Sequence, residues 1–179
     1  MLQPKLLSLM AIAFLFLGAA SAQKKPQASP ADSTSGTVAG ATIDIFYHSP
    51  SIKGRTIGKE IAPYGQIWRT GANEATTFAT NKDIKIEGKV LKAGKYTLYT
   101  LPDEKEWKVI FNSQLMDGTR PIWGIKRDGS TTDDASKDVL VVTVKPTKAA
   151  EFHERFKIEL SKPGFVLLWG DIEVPVKVK

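Results

Sequence analysis

The chain has 179 residues, a formal net charge of +6 and no cysteine, so structural disulfides and a cysteine-linked lipid anchor are excluded and stability must come from core packing. Its lysines are scattered through expected strands and turns rather than gathered in a stripe, which argues against a nucleic-acid-binding face.

Residues 1–22 read as a cleaved signal peptide. Lys5 gives a positive start, Leu6 to Gly18 form an apolar run, and Ala20-Ser21-Ala22 place small residues at the cleavage positions. The run is shorter than the roughly 20 residues that cross a bilayer as a helix, so no stable membrane span is expected after cleavage, and the location read from it is periplasmic or secreted. Residues 23–36 hold no large apolar side chain and are expected to be a flexible tether. The remainder, 37–179, has the usual size of one domain.

From there, period-two alternation over short runs dominates, punctuated by Gly, Pro, Asn and Asp. Ile43, Ile45 and Tyr47 share one face of a first strand. Thr76 to Thr80 and Asp83 to Glu87 are joined by Asn81-Lys82. Tyr96 to Leu101 is the clearest central strand, and Trp107, Val109 and Phe111 line one side of the next. Asn112 to Lys137 is a long irregular connection, a length that is usually functional or mobile. Strands resume at Val139 to Lys145, Phe152 to Leu160, Phe165 to Trp169 and Ile172 to Val178, with Ser161-Lys162-Pro163-Gly164 as a hairpin turn. Pro175 marks an edge or a bulge. Gly58 to Pro63 and Thr147 to His153 are each expected to make one helical turn, and no longer segment carries a 3.6-residue stripe. About eight to ten strands with hairpin-like spacing point to an all-β fold: a single β-sandwich, Greek-key or jelly-roll-like, with a closed barrel as the competitor.

The densest chemistry lies in Ser49-Pro50-Ser51-Ile52-Lys53-Gly54-Arg55 and in Tyr64 to Thr77. Arg55 and Arg69 present planar forks of donors suited to carboxylates or phosphates, Asn73 both donates and accepts, and Glu74 adds a carboxylate. Trp68 supplies a flat apolar face. Together these five residues are the candidate ligand site, suited to a small polar, carbohydrate-like or anionic molecule. The bland reading has Arg69 paired with Glu74 or Asp44, Trp68 plugging the core and Asn73 capping a turn. The catalytic alternative is a hydrolase using Glu74 as acid or base beside Arg55 or Arg69, with Asp44 as the nearest second acid. A third reading is a structural or protein-interaction module docking through a sheet edge or the Trp123 loop.

The string Tyr64-Gly65-Gln66-Ile67-Trp68-Arg69-Thr70-Gly71-Ala72-Asn73-Glu74-Ala75-Thr76 resembles a family of exported bacterial proteins catalogued as domain of unknown function 2911. So do Lys92 to Leu98, Trp107 to Asn112, Leu167-Leu168-Trp169 and Val174-Pro175-Val176. The resemblance covers roughly Ile43 to Val178. It implies a shared fold and an exported, envelope-associated protein, and it names no activity.

Other features carry less. His48 beside Ser49 or Ser51 makes no triad, because neighbours along a strand point to opposite faces. His153 is expected to face solvent, and Trp107 and Trp169 to lie in the core. Asp133 and Asp134, near Asp128, match no cation loop and read as solvated turns. No metal and no cofactor is expected.

Overall fold

A computed structural model describes residues 28–124 and 133–179. The expected signal peptide, the first part of the tether, Ile125 and Asp128 lie outside the described residues.

Among these residues the fold is all-β and two-layered. The larger layer is a six-stranded antiparallel sheet of β1 (Ala31–Val38), β2 (Ala41–His48), β3 (Thr77–Thr80), β6 (Gly94–Leu101), β7 (Trp107–Asn112) and β10 (Asp138–Val144), in that order. The opposing layer is the long hairpin of β11 (Thr147–Ser161) and β12 (Gly164–Lys177). Its flank is extended by β4 (Ile84–Ile86), which pairs with β5 (Lys89–Leu91) and also exchanges hydrogen bonds between Lys85 and Lys179 at 2.7 and 2.9 Å. On the other flank Ser51 bridges Arg155 of β11. A small hairpin, β8 (Met116–Asp117) with β9 (Arg120–Pro121), falls within the long connection. The larger sheet runs as a meander whose chain leaves it between β3 and β6 to build β4 and β5 in the other layer.

Alternation explains what lies between the layers. Ile43, Ile45 and Tyr47 of β2, Phe78 of β3, Leu98 of β6, and Val109 and Phe111 of β7 meet Phe156, Ile158, Phe165, Leu167 and Trp169 of the hairpin, all of them buried. Each such side chain contributes about 2 kcal/mol by leaving water. Trp107 and Trp169 belong to this core, as expected. Tyr47 ties the layers together. Its hydroxyl donates to Asp32 Oδ2 at 3.0 Å and accepts from the Ile158 N–H at 3.1 Å.

Several sequence expectations need correction. The folded part begins at Ala31, not at residue 37, because β1 pairs with β2 along its whole length. Its side chains remain largely at the surface, and Asp32 and Ser35 bond to Tyr47 and Asp44. Order there comes from a backbone ladder that composition does not register. Residues 147–153 belong to β11 rather than to a helical turn. Residues 58–63 make turns gathered on the Thr56 carbonyl, which accepts from Glu60 and Ile61 N–H, without a helix. The two closing strands are one, β12, with Gly170 at φ 60° between the halves. Register shifts in β11 on both sides of His153 reverse its facing. Hence Phe152 is 65% exposed, whereas His153, expected at the solvent, keeps only 10% of its side chain exposed.

Candidate functional site

The segment between β2 and β3 is a long crossing that spends most of its polar groups on holding its own path. Ser49 Oγ donates to the Phe156 carbonyl at 2.7 Å, so its hydroxyl is committed to the layer contact. Ile52 N–H reaches the Glu154 carbonyl, and Lys53 and Gly54, both at positive φ, turn the chain back. Trp68 and Thr100 then exchange backbone hydrogen bonds at 2.7 and 2.9 Å. Thr76 closes the final loop, its Oγ1 donating to the Thr70 carbonyl at 2.7 Å.

A hollow of about 410 Å³ opens on this crossing, and Arg55, Trp68 and Arg69 all line it. The Arg55 fork donates to the Ile52 carbonyl through Nε at 3.0 Å and to the Ser51 carbonyl through Nη2 at 2.7 Å. Arg69 Nη1 donates to the Trp123 carbonyl at 3.1 Å, and its guanidinium lies 5.9 Å from the Trp123 ring. Burial pulls the Arg69 pKa below the usual arginine range, partly offset by Glu74. Neither guanidinium forms an ion pair among the described residues. Glu60 and Gln66 also line the hollow. Hydrogen bonds with backbone N–H groups, the first from Thr56, hold the Glu60 carboxyl below the usual carboxylate range.

Trp68 is half-buried and part of the core as well as of the wall. Its ring stacks on Trp169 at 5.2 Å and 11°, and meets Phe156 edge-on at 5.0 Å. It is both platform and plug.

The other two sequence-predicted residues stand apart. Asn73, at φ 56°, donates from Nδ2 to the Ser29 carbonyl at 3.2 Å and is not among the residues lining the hollow. Glu74 lines a different hollow, with His48. Its Oε2 lies 3.5 Å from His48 Nδ1. The expected pairing of Arg69 with Glu74 or Asp44 is therefore not formed, and Asp44 instead accepts from Ser35. Of the arginines offered for a hydrolytic Glu74, Arg69 feels its charge, whereas the carboxylate lining the hollow with Arg55 is Glu60. Sequence reasoning missed Glu60 and the His48–Glu74 contact. For His48 the signal was present: if Ile43, Ile45 and Tyr47 face inward, then Asp44, Phe46 and His48 share the outward face.

The aspartates of the long connection serve structure. Asp134 Oδ1 accepts from Ser136 N–H at 3.0 Å and caps a 3₁₀ turn, and Asn112 Nδ2 donates to Asp133 and Asp138. Burial, with the nearby Asp138 and Asp134 charges, pushes the Asp133 pKa up to about 6. Among the described residues no cluster of three metal-ligating side chains occurs, and no helix is long and apolar enough to cross a membrane.

The chain belongs to the family described as protein of unknown function (DUF2911), whose family model matches residues 29–178. The match begins close to β1, in keeping with the structural start of the domain rather than with residue 37. No curated protein and no solved structure matches the chain.

Proposed function

We propose that this member of the family is an exported binding module for a small anionic, carbohydrate-like ligand held in the Arg55–Trp68–Arg69 hollow. The observation that carries the reading is two guanidinium groups lining one cavity of about 410 Å³, each bonded to backbone carbonyls, with no ion pair to either among the described residues. Burial of the Arg69 guanidinium carries a desolvation cost that Glu74 offsets only in part, and a bound anion would offset more of it. The volume is that of a small-ligand site, and Trp68 with Pro50, Ile61 and Pro63 supplies an apolar wall. Sugar acids combine the required features: C–H faces for the indole, a carboxylate for the arginine forks and hydroxyls for Gln66 and Glu60.

Calorimetric titration of the full chain with galacturonate, galactose and citrate tests the reading. Galacturonate is expected to bind about tenfold more tightly than neutral galactose, as one charge-assisted contact allows, and to weaken with salt. Arg55→Gln and Arg69→Gln should each remove that preference. Absence of heat with either anion, or equal affinity for galactose, overturns it. Export and a periplasmic or secreted location rest on the Lys5, Leu6–Gly18 and Ala20-Ser21-Ala22 pattern. Amino-terminal sequencing of protein recovered outside the cytoplasm should read Gln23 first.

A further inference from the structure

The outward face of the larger sheet carries a second hollow, of about 420 Å³, which the reading above does not use. Its shape follows from strand register. Asp44, Phe46 and His48 point away from the core because Ile43, Ile45 and Tyr47 point into it. Opposite Phe46 on β3 stands Thr77, opposite Asp44 stands Ala79, and Ala79 in turn faces Lys95 of β6. Small side chains on β3 between larger ones on β2 and β6 leave a furrow.

Its titratable groups are Lys95, His48 and Glu74. Lys95 makes no ion pair among the described residues. Phe46 is 46% exposed. His48 is only 6% exposed, and its Nδ1 is buried without a hydrogen bond, 3.5 Å from Glu74 Oε2. The Phe46 ring lies against the imidazole edge-on at 5.5 Å. An imidazole with its Nδ1 edge turned inward to a carboxylate keeps Nε2 as its remaining polar atom, and this ring lines the hollow. A buried Nδ1 without a hydrogen bond is unfavourable, and a ligand hydroxyl donating to Nε2 would fix the tautomer whose Nδ1–H faces Glu74.

We propose that this hollow is a second ligand site, for a flat organic acid that carries a hydroxyl. The acid group pairs with Lys95, the flat body lies on Phe46 above Thr77, and the hydroxyl donates to His48 Nε2, with Glu74 positioning the imidazole. The hollow shares no lining residue with the Arg55 hollow, and the Glu74 charge is the link between them, acting on Arg69.

Titration of the ¹⁵N-labelled full chain, read by amide and imidazole chemical shifts, tests it with 4-hydroxyphenylacetate, phenylacetate and 4-hydroxyphenylacetamide. The first probe should shift Phe46, Thr77 and Lys95 amides and the His48 ring nitrogens, and bind about tenfold more tightly than either analogue. Lys95→Met should erase the preference for the acid over the amide and leave the preference for the hydroxyl. Arg55→Gln should change neither. Shifts confined to residues around Arg55, equal affinity for the three probes, or an acid preference that survives in Lys95→Met would each overturn the proposal. Should Lys95→Met not fold, the three-probe comparison on the unaltered chain decides alone.

Discussion

The two hollows flank one stretch of chain and are built in opposite ways. The Arg55 hollow takes its charges from residues close together in sequence, displayed by a crossing whose path is pinned at Ser49, Trp68 and Thr76. The His48 hollow draws on β2, β6 and the turn before β3, and only antiparallel register brings its residues together. Proximity along the chain therefore groups Arg55, Trp68 and Arg69 correctly and assigns Glu74 to the wrong neighbour. Between Arg69 and Glu74 the crossing passes from the lining of one hollow to that of the other, with Thr70 and Asn73 at positive φ.

The strongest way to break the contrast is Trp68→Ala. A ring stacked on Trp169 and wedged against Phe156 and Trp107 is shared between the wall of one hollow and the core, so its loss should cost about 3 kcal/mol in denaturant-induced unfolding. Binding of galacturonate should fall with it. The His48 hollow, which has no Trp68 contact in its lining, should still shift with 4-hydroxyphenylacetate under conditions where the variant is folded. If both sites fail together in the folded variant, the two regions are one cooperative unit and the contrast is lost.

Much of this architecture was legible beforehand, and the failures share a cause. Alternation identified the shared faces of β2 and β7 because burial of Ile43, Ile45, Val109 and Phe111 leaves a period-two trace. Neither β1 nor the facing of β11 leaves such a trace. The first is held by main-chain hydrogen bonds under polar side chains, and the second is reversed by register shifts that turn Phe152 outward. The same holds for the site. Residue type marked Arg55 and Arg69 as candidate ligand groups, and both line one hollow, but the partners of Asn73 and Glu74 depend on tertiary contacts with Ser29 and His48.

Tyr47→Phe sharpens the comparison from the β1 side with a smaller effect. It removes the bond to Asp32 and leaves the buried Ile158 N–H without its acceptor, a loss of about 1–2 kcal/mol. The tyrosine also has a pH signature. Burial, reinforced by Asp32, pushes its pKa up to about 12 against the opposing Ile158 bond. The fold thus favours the neutral phenol, so this contribution is complete below about pH 10, the unfolded value, and is lost as pH rises towards 12. The stability gap between the parent and Tyr47→Phe should narrow over that window. A gap that widens there would mean that the hydroxyl is not held as described.

Arg55→Gln should have the smallest effect on folding and the most selective effect on binding. The side chain is exposed, and its two bonds go to carbonyls of its own turn, so stability should change by no more than about 0.5 kcal/mol. A guanidinium kept only to brace the turn would show the reverse pattern, with a clear drop in melting temperature and unchanged ligand affinity. Because glutamine retains donors for Ser51 or Ile52 but removes the charge, an unchanged melting temperature together with a lost galacturonate preference assigns Arg55 to the ligand. The 4-hydroxyphenylacetate titration on the same variant should match that of the parent, which locates the effect in one hollow and not in the sheet beneath both.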